Sequence, residues 1–393
     1  MAGKLLIVHG GGPTAVMNCS LYGAIREAVK SGRADSVYGA LGGMGGLLAE
    51  RFVRLDTLPE QELQLLLTTP GSAIGTSRDA MEAPEYARAA EVIRKNGFDF
   101  LLCNGGNGTM DTCGKIYEAC RAAGTSVLVA GIPKTVDNDL AVTDHAPGFA
   151  SAARYIAGVT REICTDVRSL PIHVCVVEAM GRNAGWITAA AALARQDAEI
   201  GPDLIYLPER DFDERAFLRD VEEKWAKGKG VVAVVSEGLH GPSGKPLVPP
   251  IFQTGRSTYF GDISAHLAQL VVKELGIKAR SEKPGLMNRS SICWRSEVDC
   301  REAEEAGRAA VRAVFDGQTG VMPAIRRLSS DPYQTELFLV PIREVMLTER
   351  TMPDEFICDS GNDVTPACVD WLRPLMGGPL PEMVTFQRCT LKS

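Results

Sequence analysis

The chain repeats one short pattern: an apolar, β-prone run, a cluster of glycines, then a stretch of helical character. Leu5-Leu6-Ile7-Val8 leads into Gly10-Gly11-Gly12-Pro13 and a helical segment from Ala15 to Val29. Phe98 to Cys103 leads into Asn104-Gly105-Gly106-Asn107-Gly108-Thr109 and a helix reaching Ala123. Further strands are expected over Val127 to Ile132, Val174 to Val177, Leu204 to Leu207 and Val231 to Val235, with an alanine-rich helix after Gly185. Asp213 to Lys227 reads as a surface helix, acidic early and basic late, as the helix dipole favours. Runs that are apolar at every position are buried on both faces. Strands that alternate with helices form parallel sheets covered on both sides. The fold class is therefore α/β.

At 393 residues the chain exceeds one ordinary domain. The expected organisation is a lobe over 1–140, a second over 141–310, and C-terminal elements over 311–393. Some of the last group should pack back on the first lobe, and the Pro- and Gly-rich stretch after Met352 should lie on the surface. Net charge is −7, which argues against nonspecific nucleic-acid binding because no basic excess exists to neutralise phosphates. The eleven cysteines form no C-x-x-C pair and read as reduced thiols of a cytoplasmic protein. No signal peptide and no membrane-spanning run are expected.

The turns after the strands carry the chemistry. In open α/β sheets, ligands bind outside the carboxyl ends of strands. Gly131-Ile132-Pro133-Lys134-Thr135-Val136-Asp137-Asn138-Asp139 places two carboxylates, a lysine and a threonine just past such an end. One carboxylate can take a proton from a hydroxyl, and the other can help hold a magnesium ion. Lysine and threonine suit phosphate oxygens. The glycines at 10–12 and at 105, 106 and 108 let backbone N–H groups approach an anion at a helix N-terminus, or else serve as tight turns. Arg182, after the strand ending near Val177, can pair with phosphate through two N–H bonds, or sit solvated. Glu237 can accept from sugar hydroxyls, or simply close a turn. The histidines show no metal-ligand spacing, and no G-x-S-x-G occurs.

Taken in order, Gly-Gly-Gly-Pro-Thr-Ala-Val-Met-Asn (10–18), Gly-Thr-Ser-Arg (75–78), Gly-Gly-Asn-Gly-Thr (105–109), Pro-Lys-Thr-Val-Asp-Asn-Asp (133–139), Met-Gly-Arg-Asn-Ala-Gly-Trp (180–186) and Ser-Glu-Gly (236–238) resemble the phosphofructokinase family. The match runs from residue 4 to about 305. The forms at 133–139 and 180–186 resemble the branch holding pyrophosphate-dependent enzymes and some ATP-dependent relatives. The resemblance implies two Rossmann-like lobes of mainly parallel sheets with the active site in the cleft between them. It also implies Mg²⁺-dependent transfer of a terminal phosphoryl group to the 1-hydroxyl of fructose 6-phosphate. By position, Asp137 is the base, Thr135 and Arg182 stabilise the moving phosphoryl, and Lys134 adds positive charge. Gly11, Arg78, Gly106, Asn107, Gly108 and Thr109 belong to the donor. Asp139, His173, Met180, Gly181, Glu237, Arg280 and Arg289 belong to the acceptor side, and Asn107 and Asp139 lie near the metal. The family assembles as homodimers or homotetramers, with His173 and Arg280 expected to be supplied across a subunit interface.

Three departures matter. Asn107 stands where the family usually has Asp, which removes a charge from the metal site. Gly108 leaves the room a nucleotide needs, whereas Lys134 is typical of pyrophosphate users; the steric argument favours ATP, with pyrophosphate the alternative. Around the acceptor, Arg280 and Arg289 fit the expected cluster, and Lys283 or His173 can add charge. Leu286 stands where His or Tyr is common, His173 where Arg is common, and Asn288 where Gln is common. Losing one charge-assisted bond costs about 1.5–3 kcal/mol of binding. A different phosphorylated sugar or polyol, or one without phosphate, is therefore an expected acceptor alternative. A catalytically weak regulatory or binding homologue is a third reading, resting on Asn107 alone.

Overall fold

The computed structural model describes residues 3–196, 200–254, 257–384 and 386. Its strands are β1 (Gly3–His9), β2 (Ala34–Ala40), β3 (Phe52–Arg54), β4 (Phe98–Gly105), β5 (Leu128–Pro133), β6 (Val174–Ala179), β7 (Leu204–Tyr206), β8 (Val231–Ser236), β9 (Pro250–Thr254), β10 (Ser257–Phe260), β11 (Ala279–Glu282), β12 (Val321–Ser330) and β13 (Tyr333–Pro341). The helices that matter below are α1 (Met17–Ser31), α2 (Ala83–Lys95), α3 (Asn107–Ala122), α4 (Phe149–Ser169), α5 (Glu214–Trp225), α6 (Ile263–Leu275), α7 (Glu297–Phe315) and α8 (Pro366–Leu372). The chain divides into two compact units, 1–151 with 289–350, and 152–288 with 351–393.

The first unit is built on a sheet of order β13-β12-β5-β4-β1-β2-β3. Its centre is parallel; β3 and β13 run antiparallel at the edges. The run at 5–8 is apolar throughout because β1 is covered on both sides. Leu5 and Ile7 enter a core with α1 and α7, while Leu6 and Val8 enter a core with α2 and α3. Each such side chain contributes about 1.5–3 kcal/mol on burial. After β1 the chain moves to β2 on one side and returns to β4 on the other, so β1 and β4 flank a topological switch point.

The second unit holds a parallel sheet of order β11-β6-β8-β7 and a separate β9–β10 hairpin. Val174, Val176, Val231, Ala233 and Val235 pack with Phe217 and Val221 of α5 and with Ile263, Leu267 and Val271 of α6. Asp213, expected inside the surface helix, is its N-cap and accepts from the Arg215 N–H at 2.8 Å.

The stretch after Met352 differs from the expected surface tail. Phe356, Ile357, Val364, Cys368, Leu372, Leu375 and Met376 are buried, and Trp371 packs against Trp186 at 4.9 Å between ring centroids. Pro and Gly mark its turns, but its apolar residues are spaced to fill a core. Arginines on α4 fasten it further: Arg154 donates to the carbonyls of Met376 and Gly378, and Arg161 to those of Leu380 and Pro381. Residues 289–350 join the first unit and 351 onward join the second. Among the described residues, no helix is long and apolar enough to cross a membrane.

Helices α1 and α7 approach until backbone meets backbone. A Cβ on Gly23 would overlap the Glu304 carbonyl, and one on Gly307 would overlap that of Ser20. Gly23→Ala should therefore destabilise the protein by about 1–3 kcal/mol, the usual cost of overpacking. Urea unfolding should show this as a lower midpoint at unchanged slope.

Candidate active site

The turns after β1, β4 and β5 converge because these strands are neighbours whose ends align. His9 pairs with Asn104, and Gly105 pairs with Pro133. Gly11 has φ +75°, a conformation that favours glycine. Its N–H donates to Ser77 O at 3.0 Å, and its carbonyl accepts from Thr76 Oγ1 at 2.8 Å. Lys134 is 3% exposed and donates through Nζ to Gly12 O at 2.6 Å. A Cβ on Gly12 would lie 2.7 Å from Arg289 Nη1 and 3.5 Å from Arg78 Nη2. Three cations distant in sequence thus gather round two glycines. Burial lowers the Lys134 pKa to about 8; Arg289 and Arg78 lower it too, against the pull of Asp137 and Asp139. Such a concentration of positive charge suits an anion.

Gly10 and Gly105 are both obligatory here, because a Cβ on either would overlap Thr109 Oγ1. Thr109 is wedged between the first two turns. Gly106 is the N-cap of α3, and a Cβ on it would stand 3.2 Å from Lys134 O. Gly108 is different. A side chain there would meet nothing within 4 Å among the described residues.

The segment after β5 folds back on itself. Thr135 bridges Gly148, and Thr135 Oγ1 accepts from the Asp137 N–H at 3.1 Å. Asn138, at φ 56°, is fully buried and accepts from the Ala146 N–H at 3.0 Å. Asn107 Nδ2 donates to Asp139 Oδ2 at 2.8 Å and to Asp139 O at 3.1 Å. Asn107 Oδ1 and Asp139 Oδ1 are buried and have no hydrogen-bond partner among the described residues. Two buried oxygens without donors suit a hard cation, and Mg²⁺ commonly takes one or two protein oxygens and completes its shell with water and substrate phosphate. Burial raises the Asp139 pKa, against the hydrogen bonds from Thr135 and Asn107.

A buried ionic cluster anchors the far limb of this loop, and the sequence reading assigned it no role. His145 is fully buried; Nδ1 meets Asp144 Oδ2 at 2.8 Å and Nε2 meets Glu302 Oε2 at 2.6 Å. Arg327 donates to Asp144, and Tyr333 to Glu302. The Arg350 N–H donates to Asp139 O at 2.9 Å, and its guanidinium donates to the carbonyls of Thr143 and Asp144. Burial alone would lower the imidazole, but Glu302 and Asp144 outweigh it and raise its pKa to about 9. No spacing rule marks this cluster, since its members come from the loop, α7, β12 and β13.

In the second unit, the turns after β6 and β8 interlock. Gly181 (φ +135°) donates to Glu237 Oε1 at 3.3 Å, and a Cβ on Gly238 would overlap the Arg182 carbonyl. Burial raises the Glu237 pKa, opposed by the Gly181 N–H and Arg182. Met180 N–H donates to Asn288 Oδ1 at 3.3 Å, and Asn288 Nδ2 to Ala152 O at 3.1 Å, so Asn288 braces this turn. Lys283 is not a free cation for an acceptor. Its Nζ lies 2.9 Å from Glu178 Oε1 and also pairs with Asp262. Leu286 is 66% exposed.

His173 and Arg280 do not join Met180, Gly181, Arg182 and Glu237 within one chain. His173 precedes β6 and Arg280 pairs with Cys175, while Met180 follows the strand's far end. At about 3.3 Å per residue the separation is roughly 16–23 Å. They line a separate depression of about 270 Å³ with Glu162, Asp166 and Glu282.

The phosphofructokinase family profile matches residues 4–314. The chain belongs to the phosphofructokinase family. The pyrophosphate–fructose 6-phosphate 1-phosphotransferase of Rhodospirillum rubrum is 37% identical over 390 residues, covering 97% of this chain and 96% of its own. The sulfofructose kinase of Alkalicoccus urumqiensis is 32% identical over 357 residues, covering 90% and 92%. The solved structure of the pyrophosphate-dependent phosphofructokinase from Nitrosospira multiformis matches with a TM-score of 0.89 at 33% identity, covering 98% of this chain and 94% of its own. This phosphofructokinase-family protein is accordingly a phosphotransferase.

Its buried His145 makes stability pH-dependent. A pKa raised from 6.5 to about 9 contributes stability that is fully present below 6.5 and lost as pH rises through 9. His145→Gln should cost about 3–5 kcal/mol at pH 7, the penalty of breaking a buried ion pair. In urea titrations that difference should shrink towards pH 10.

Proposed function

We propose that the protein is a Mg²⁺-dependent kinase that moves the γ-phosphoryl of ATP to the 1-hydroxyl of fructose 6-phosphate or a related sugar phosphate. The observation that carries the donor is the open space beside Gly108 at the start of α3. The acceptor oxygen attacks the γ-phosphorus as its proton passes to Asp137, and the bond to the leaving ADP oxygen breaks. Phosphoryl transfer asks the protein for position and charge neutralisation. Thr135 and Arg182 stabilise the moving phosphoryl. Lys134, Arg78, Gly11, Gly106 and Thr109 hold the donor phosphates. Asn107 and Asp139 would hold Mg²⁺, which neutralises charge on the donor oxygens when bound. Met180, Gly181, Glu237 and Arg289 serve the sugar.

Pyrophosphate is the second reading for the donor. It is favoured by Lys134 and by the donor printed in the names of the relatives from R. rubrum and N. multiformis. The acceptor has a second reading as well. Lys283 is neutralised by Glu178 and Asp262, Leu286 offers no hydrogen bond, and one relative is named for sulfofructose. A sugar carrying a singly charged group in place of phosphate fits a site with fewer available cations. His173 and Arg280 serve the acceptor of a neighbouring subunit in a homodimer or homotetramer, which accounts for their distance from Met180. A catalytically weak binding homologue is disfavoured by the intact set Thr135, Asp137, Asp139 and Arg182.

Phosphate transfer from ATP and from pyrophosphate, measured side by side with fructose 6-phosphate and other C6-substituted sugars, tests these readings. ATP turnover is expected; turnover with pyrophosphate alone would overturn the kinase. Asp137→Ser should lower kcat about 10²–10⁴-fold, and a binding homologue would be indifferent to it. Lys134 should also leave a pH signature. Its charge is lost as pH rises through about 8, so KM for the donor should climb above that pH in wild type and lose this dependence in Lys134→Met.

A further inference from the structure

His9 lies at the end of β1, immediately before the glycine turn, and no role in phosphoryl transfer requires it. It is fully buried, as is Asn104 beside it. Its Nδ1 stands 2.8 Å from Ser72 Oγ, and its Nε2 stands 3.4 Å from Asn104 Nδ2. The direction of each bond follows from counting hydrogens. Ser72 Oγ has one hydrogen and spends it on the Gly75 carbonyl at 2.8 Å. It must therefore accept from His9, so Nδ1 carries the proton. The same Asn104 Nδ2 also donates to Met17 O at 3.4 Å, which orients the amide nitrogen and leaves His9 Nε2 as an acceptor. A second proton on Nε2 would face a donor.

The charge state agrees with this count. Burial, aided by the nearby Lys134, lowers the His9 pKa to about 3. The ring is a neutral donor of fixed direction, which a cationic side chain could not be beside Lys134.

What Ser72 holds is the segment that delivers Arg78. The turn Ser72–Gly75 is closed twice, by Ser72 Oγ to Gly75 O and by the Gly75 N–H to Ser72 O at 3.1 Å. Directly after it, Thr76 and Ser77 clasp Gly11 from both sides, and Arg78 reaches Gly12. Asn18 on α1 steadies the entry to the turn, donating to Thr69 O at 2.9 Å and accepting from the Ala73 N–H at 2.8 Å.

We infer that His9 is a positioning residue for the donor-phosphate turn: as its Nδ1–H tautomer it fastens Ser72, and through Ser72 the segment that sets Arg78 against Gly11 and Gly12. The inference rests on the reading of that turn as the donor site. It concerns donor binding alone and predicts a split between kinetic constants.

The test is steady-state kinetics with ATP and with pyrophosphate, each varied at saturating acceptor, alongside melting temperatures. Ser72→Ala and His9→Gln should raise KM for the donor about three- to tenfold, the worth of one buried hydrogen bond. The acceptor KM and kcat should stay within about twofold. His9→Asn should restore the donor KM, because its amide nitrogen falls near the Nδ1 position and can donate to Ser72. The glutamine amide reaches the Nε2 position and cannot. The double variant His9→Gln with Ser72→Ala should be no worse than either single change. Arg78→Ala separates the two levels of the argument. If it raises donor KM while the His9 and Ser72 variants do not, the inference falls and the donor site stands. If it leaves donor KM unchanged, the donor site falls and the inference with it. A loss of melting temperature with no selective rise in donor KM would make His9 merely structural and would also overturn it.

Discussion

The bond from Lys134 Nζ to Gly12 O, 2.6 Å long, is the contact on which the first unit's functional end depends. It joins the turn after β5 to the turn after β1 across the end of β4. It exists because the three strands are parallel neighbours whose ends align, with Gly105 opposite Pro133 and Asn104 opposite His9. A register slip of one residue would reverse which side chains face each core and would separate the turns. The burial of Leu5 and Ile7 on one face, and of Leu6 and Val8 on the other, is thus also what holds Lys134 in place.

That placement is electrostatically expensive. Lys134 is removed from water beside Arg78 and Arg289, and burial and both guanidinium groups lower its pKa. Compensation comes partly from Asp137 and Asp139, whose own loop needs support because Asp139 is buried with one oxygen unpartnered among the described residues. The support is the ionic cluster of His145, Asp144, Glu302 and Arg327, fixed to α7 and β12. Positive charge gathered at the glycine turns, carboxylates in the loop after β5 and the ionic cluster that anchors that loop thus belong to one connected arrangement.

Much of this was legible in the sequence. Apolar runs mark β1, β4, β5, β6, β7 and β8, because strands covered on both faces are apolar without interruption, and glycine turns leading into helices follow β1 and β4. Less was visible where burial is partial. β2 (Ala-Asp-Ser-Val-Tyr-Gly-Ala) and β12, with its Pro323 and paired arginines, carry too few apolar residues to announce themselves. The stretch after Met352 reads as a surface tail because its prolines and glycines obscure Phe356, Cys368 and Leu372, which are buried. Among site residues, those in contiguous motifs could be placed by motif. His145, Glu302 and Arg327 could not, since their association exists only after folding. Lys283 shows the converse: the sequence offered a free cation, and Glu178 and Asp262 had already claimed it.

The two sets of turns differ in chemical character. Those of the first unit gather backbone and cations: Gly11 and Gly12 with Arg78, Arg289 and the buried Lys134. Those of the second are organised round a carboxylate, with Glu237 accepting from Gly181 and Asn288 bracing Met180. Carboxylates and backbone amides suit hydroxyls, which both donate and accept directional hydrogen bonds, whereas cations suit phosphate. Within one chain His173 and Arg280 cannot add charge to the carboxylate-centred turns, since they sit at the opposite end of β6 from Met180.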